Sequence, residues 1–320
     1  MRIAFCIVAM VAFTVGGCAQ RAPLPPAGAR VALVPAAPDA GFHHPYLLRL
    51  PRIDTSRALH LLVEPNNSGY ASPKFDDHVT SATALTETGV GAHVSRQLTI
   101  PLLMPVFPRP PEVYTHSLNR RALLATASDL QRLDLQLLAM VADARRRLAE
   151  SGVPTHDRFF LTGFSASGSF VNRFTMLHPE SVQAAAAGAV NGILMLPFER
   201  VDAVELPFPL GTADLPLVAG RPFQRHSWRS VPQFFYMGAN DDNDAVQFED
   251  AYTESERQIV YQTLGRRMLP DRWERCQALY REAGAAATFT TYAGVGHGTN
   301  GRIHADIAAF FVSAAGLVPR

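Results

Sequence analysis

The stretch RFFLTGFSASGSFVNRF, residues 158–174, sets an apolar run against a helix-like run, with Ser165, Ser167 and Ser169 at alternate positions between them. FFLTG reads as a short buried strand, and the residues after it read as the start of a helix. Gly163 and Ser167 stand two positions either side of Ser165. A sharp strand-to-helix turn needs small residues at those two places, because the two backbones nearly touch there. The strand ends at 161–163, so the turn falls on Ser165, and Ser167 already lies in the first helical turn. Ser165 is therefore the expected nucleophile and Ser167 the alternative. Serines that only cap a helix would give the same local pattern.

A serine hydroxyl is a poor nucleophile at neutral pH. It needs a base to take its proton, an acid to orient that base, and N–H donors for the developing oxyanion. The base is expected at His297 in YAGVGHGTN (292–300), a histidine hemmed by glycines just past an apolar run, with no apolar face to bury it. His304, at the start of a helix, is the second choice. The acid is expected in FFYMGANDDND (234–244), where Asp241 follows an apolar strand and stands three residues after Gly238. Asp244 and Asp242 compete with it. Asp241, Asn243 and Glu249 also offer hard oxygen ligands, but the spacing and central glycine of a calcium loop are absent, so no metal is expected.

Around these motifs, strand-like and helix-like runs alternate. Strands are expected at 46–51, 58–65, 99–108, 158–163, and within 181–192, 231–241 and 287–298. Helices are expected at 75–96, from Ser128 to Gly152, and from about Ile303. The alternation implies a mostly parallel sheet with helices on both faces, whose functional loops sit at the carboxyl ends of the strands. Residues 193–231, rich in proline and apolar residues, break the rhythm and are expected to form an excursion over the active-site face or a long structural connection. Phe164, Phe223 and Trp228 can line an apolar cleft or belong to the core.

The order Ser165, Asp241, His297, carried by GFSASG, GANDDNDAV and GVGHG, resembles the α/β-hydrolase superfamily in its esterase and polyester-depolymerase-like branch, from about residue 42 to the end. Ser167 stands where the strict motif has a second glycine. The resemblance implies an α/β-hydrolase fold and a serine hydrolase of carboxylic esters, small or polymeric. In it Ser165 forms the acyl-enzyme, His297 shuttles the proton and Asp241 holds the imidazole. The backbone N–H of Ala166 would be one oxyanion donor. The second would come from the loop VEPNNSGY (63–70), at Asn67 with Ser68 as the alternative. No cofactor is implied. A non-catalytic protein keeping the fold, and a peptidase or amidase of the same fold, are the competing expectations.

Residues 1–17 read as a signal peptide, with Arg2 ahead of an apolar run too short for a comfortable membrane span. VGGC (15–18) resembles a lipobox, which makes Cys18 the expected lipidation site and the protein an exported, membrane-anchored lipoprotein. An ordinary secretory signal, leaving a periplasmic or secreted protein, is the alternative. Residues 18–41 read as a proline-rich tether and 42–320 as one hydrolase domain. Of three cysteines only Cys276 lies in that domain, so no internal disulfide is possible, and it reads as a helix-packing residue. Hydrophobic residues make up 48% of the 320-residue chain and charged residues 18%, with a net charge of +1. That composition suits a well-buried core and leaves no basic footprint for nucleic acid.

Overall fold

The computed structural model describes residues 31–50, 57–127, 129–190 and 192–316. The expected signal peptide, Cys18 and residues 18–30 of the tether lie outside them. Among the described residues ten strands form: β1 (Val31–Val34), β2 (Tyr46–Arg49), β3 (Leu62–Val63), β4 (Leu102–Pro105), β5 (Phe159–Phe164), β6 (Val182–Gly188), β7 (Arg200–Val201), β8 (Val204–Glu205), β9 (Gln233–Gly238) and β10 (Ala287–Tyr292). Eight of them make one sheet in the order β1-β2-β4-β3-β5-β6-β9-β10, while β7 and β8 pair as a separate hairpin. β2 is antiparallel to both neighbours, and all pairs from β4 to β10 are parallel.

The inner parallel strands β5, β6 and β9 are predominantly apolar and buried because both faces are covered. Phe159, Leu161, Ala185, Ala187, Phe235 and Met237 point into one core. Their neighbours Phe160, Ala184, Ala186, Phe234 and Tyr236 point into the other. Each large apolar side chain so buried contributes about 1.5–3 kcal/mol. Helices α1 (Phe75–Thr88), α2 (Val90–Leu98), α3 (Arg120–Leu123), α4 (Leu133–Glu150), α5 (Ala166–Leu177), α6 (Leu215–Val218), α7 (Arg225–Arg229), α8 (Glu254–Thr263), α9 (Trp273–Glu282) and α10 (Gly301–Ala314) surround the sheet. α4, α5 and α9 feed the first core, and α2 and α10 feed the second. Ala185 and Ala187 of β6 are small where α5 lies close against the strand. A Cβ on Gly168 would meet the Gly188 carbonyl oxygen at 2.4 Å.

Three expectations change, and one open alternative is decided. Residues 31–41 are not tether: Val31–Val34 adds the edge strand to β2, and Ala37 bridges Phe42. The helix expected at 75–96 is two helices, separated at Gly89, because the buried Glu64 carboxyl group accepts from the Gly91 N–H at 2.9 Å where α2 begins. The helix expected from Ser128 begins at Leu133, after Arg132 in the left-handed region (φ 50°), and Ser128 lies outside the described residues. Of the alternatives left open for Phe223 and Trp228, the core one holds: within residues 193–231 Leu194, Leu196, Phe208 and Trp228 are buried, with Trp228 edge-on to Tyr280 and Phe223 against it. Cys276 is fully buried in α9, and burial pushes its thiol up to about 11, consistent with packing rather than chemistry.

Candidate active site

The β5–α5 turn has the backbone that its sequence demands. Ser165 sits at φ 61°, ψ −124°, a conformation that costs a non-glycine residue about 1–3 kcal/mol. Its N–H donates to the Gly188 carbonyl at 2.9 Å, so the neighbouring strand holds the turn open. A Cβ on Gly163 would meet the Ser167 carbonyl oxygen at 2.4 Å, which is why only glycine serves there. Ser167 is buried, and its hydroxyl accepts from the Phe164 N–H (3.0 Å) and donates to the Phe164 carbonyl (2.9 Å). That closed pair of bonds staples the turn and occupies the hydroxyl. Ser165, by contrast, is only half-buried.

The loops after β9 and β10 converge on Ser165. His297 Nε2 lies 3.0 Å from Ser165 Oγ, and His297 Nδ1 lies 3.0 Å from both Asp241 oxygens. The Asp241 side chain is 1% exposed and that of His297 25%, so the acid is sheltered while the base faces the cleft. Because Nδ1 faces a carboxylate, it carries the proton in the neutral ring and leaves Nε2 as the acceptor toward Ser165. The loops are bound to each other as well: Asn240 N–H donates to the Val295 carbonyl at 2.9 Å. Gly238 makes this approach possible, since a Cβ there would stand 2.3 Å from the Gly296 carbonyl oxygen.

Asp244 goes elsewhere. It accepts from the Val246 N–H and pairs with the fully buried Arg272 at 2.6 Å, which anchors the far end of the Asp241 loop. His304 stacks on His93 with ring centroids 4.2 Å apart and bonds Thr299, away from Ser165.

Ala166 opens α5, where the first N–H groups of a helix have no partner within it. Asn67 reaches the turn from the other side: its amide donates to the Phe164 carbonyl at 3.4 Å, and its own Oδ1 accepts from Gly69 N–H. The Ser68 N–H points at His116 Nδ1 (3.4 Å). His116 and Asn66 had no distinguishing signal in the sequence, yet both are buried and tie this loop to the next one. Asn66 exchanges two hydrogen bonds with the Phe107 backbone, and His116 Nε2 bonds the Phe107 carbonyl. Burial pushes the His116 imidazole down to about 3, so it stays neutral in this role.

Sequence reasoning also missed Asn243, whose amide nitrogen lies 2.9 Å from His297 Nε2, and Arg173 in α5. Arg173 is buried and donates to the Ser117 carbonyl and the Tyr252 hydroxyl, 2.8 Å each, joining the loops that follow β4 and β9. A cavity of about 200 Å³ adjoins the turn, lined by Glu64, Asn67, Leu85, Val90, Phe164 and Thr299. Phe164 also faces the His297 ring at 4.9 Å. Burial pushes Glu64 up to about 8, so this wall is close to neutral at pH 7. Among the described residues, no group of three His, Cys, Asp or Glu side chains is arranged to hold a metal.

The architecture has solved counterparts. Poly(aspartic acid) hydrolase-1 from Sphingomonas sp. KT-1 superposes with a TM-score of 0.59 at 15% identity, over 88% of this chain and 98% of that one. A poly(3-hydroxybutyrate) depolymerase from Bordetella parapertussis gives 0.53 at 17% identity, over 91% and 92%. No protein-family model and no curated protein matches the sequence. The strand order, the helices on both faces and these likenesses define the chain as an α/β-hydrolase fold.

Proposed function

We propose that the protein is a serine hydrolase that cleaves carboxylic esters through an acyl-enzyme on Ser165. The observation that carries this reading is the unbroken relay from buried Asp241 through His297 to Ser165, three contacts of 3.0 Å ending on a strained, half-buried serine. In it, His297 Nε2 takes the Ser165 proton as Oγ attacks the ester carbonyl carbon, and the imidazolium is stabilised by Asp241. The oxyanion is received by the Ala166 N–H and by the backbone of Asn67, since the Ser68 N–H is already directed at His116. The imidazolium then protonates the leaving alcohol, and water repeats the sequence to release the acid.

Mass-spectrometric mapping of a fluorophosphonate adduct tests the assignment. Ser165 should carry the label, and only Ser165→Ala should abolish it while Ser167→Ala retains it. Labelling of folded protein at Ser167, or none at all, would count against the reading, and the second result would favour a non-catalytic protein that keeps the fold. A polyamide substrate is the second reading, favoured by the name of the Sphingomonas enzyme. Comparing p-nitrophenyl esters with the matching anilides separates the two.

The same proposal includes export and lipidation at Cys18. β1 supports an outward-facing site: Val31 pairs with Arg49, at the end of the sheet opposite the carboxyl ends of β5, β9 and β10. Among the described residues no helix is long and apolar enough to cross a membrane. Labelled palmitate should enter the wild-type chain and not Cys18→Ser; incorporation in both would refute lipidation at that residue.

A further inference from the structure

We propose that Asn243 is a further catalytic residue, whose side-chain amide donates a hydrogen bond to the leaving alcohol oxygen during acylation and to the attacking water during deacylation. The proposal rests on the acyl-enzyme reading and deepens it, because it names the class of ester the site favours.

A neutral imidazole whose Nδ1–H is given to a carboxylate has one in-plane lone pair left, on Nε2. Two groups approach His297 Nε2: Ser165 Oγ at 3.0 Å and Asn243 Nδ2 at 2.9 Å. The amide is not needed to orient the ring, since Asp241 binds Nδ1 through both oxygens. An amide N–H also cannot act as a base. What it can do depends on the next state. Once Nε2 has taken the serine proton it becomes a donor, and the contact with Nδ2–H sets donor against donor. The amide N–H is then released from Nε2 and is free to turn to an acceptor within reach.

One such acceptor forms at that moment. As the tetrahedral intermediate collapses, the bond between carbonyl carbon and alcohol oxygen breaks, and the electron pair stays on that oxygen. The proton on Nε2 passes to it, so it must lie within hydrogen-bond distance of Nε2. Nε2 and Nδ2 are only 2.9 Å apart, so an oxygen about 2.9 Å from each completes a triangle in which both N–H groups converge on it. In deacylation, water occupies the same place and loses its proton to Nε2 as its oxygen attacks the acyl carbon.

The backbone of Asn243 is pinned for this role. Its N–H donates to Asp241 Oδ1 at 3.0 Å, and the adjacent Asp244 is held by Arg272 at 2.6 Å. The side chain is only partly buried, so it turns about its own bonds without moving the loop. A second donor on the departing oxygen matters most where that oxygen carries the most charge. The site is therefore suited to esters of aliphatic alcohols, which leave poorly, more than to activated aryl esters.

The test uses the full chain in detergent, as wild type, Asn243→Ala and Asn243→Asp, with butyrate esters of p-nitrophenol, phenol, trifluoroethanol and ethanol. Asp keeps the size of Asn and lacks the N–H donor, so it covers the case in which the alanine variant does not fold; thermal melts check both. The expected result is a loss in kcat/KM of no more than about 3-fold on the p-nitrophenyl ester, growing to about 10- to 100-fold on the ethyl ester. An equal loss on all four esters would mean that Asn243 only orients His297, and would overturn the proposal while leaving the serine-hydrolase reading intact. No loss on any ester would overturn it too. Fluorophosphonate labelling of the same samples separates the two levels, because absence of label on wild-type Ser165 would remove the reading on which the proposal stands.

Discussion

Among the described residues two aspartate–histidine pairs make close contact, and their chemistry differs although their geometry is similar. Asp241 meets His297 Nδ1 at 3.0 Å, and Asp134 meets His178 Nε2 at 2.8 Å. Asp134 and His178 are both almost fully buried. Burial pushes the Asp134 carboxyl up, but hydrogen bonds from Arg132 and His178 outweigh it and hold the group at about 2. The far nitrogen of His178 faces Arg221 at 3.2 Å. The far nitrogen of His297 faces a hydroxyl in a cleft. An aspartate–histidine contact alone therefore says little about catalysis. What matters is whether the second ring nitrogen meets a group that can lose a proton, with room for substrate beside it.

Four substitutions sharpen or break this comparison. Asp241→Asn should have the largest effect, lowering kcat about 10⁴-fold, or about 5 kcal/mol of transition-state stabilisation, with the melting curve nearly unchanged. Retained turnover on p-nitrophenyl butyrate would remove Asp241 from the relay.

Asp134→Asn should do the reverse. Removing one partner of a buried charged network costs about 3–5 kcal/mol of stability, read by urea unfolding, while specific activity per folded molecule stays at the wild-type level. Its pH dependence has a definite sign. The folded pKa lies below the ordinary value of 3.8, so the stabilisation is present above that value and is lost as pH falls toward about 2. The acid limb of wild-type stability should therefore be steeper than that of the variant; parallel limbs would contradict the assignment.

Gly238→Ala should lower kcat/KM about 10- to 100-fold without abolishing Ser165 labelling, because the new Cβ displaces the backbone at Val295 and Gly296, just before His297. An unaltered rate would show that the loop yields freely. The smallest effect belongs to Ser167→Ala, which should cost about 1 kcal/mol in thermal or urea unfolding for the staple it removes.

The serine turn was legible because its constraints are local. Gly163, Ser165 and Ser167 lie within five residues, and the steric demand of the turn is written in their sizes. Asp241 and His297 were legible as candidates because each follows an apolar strand and sits among turn residues. Other elements depended on partners distant in sequence. Nothing near Gly89 announces that Glu64, 25 positions earlier, will be buried where α2 starts and divide the helix. Nor does the short, proline-flanked run Val31–Val34 look like a strand until β2 offers it an edge. Asp244 competed with Asp241 as the acid because nothing near it shows that Arg272, 28 residues on, pairs with it.

By itself the sequence determined the alternation of elements, the two-sided burial of the central strands and the tight turn at Ser165, since these follow from hydrophobic period and side-chain size within a few residues. Only the tertiary structure decided which acid faces His297, which serine is left open to the cleft, and that Asn243 shares Nε2 with it. Those choices depend on distances between loops that close only when the sheet has assembled, and local propensity carries no information about them.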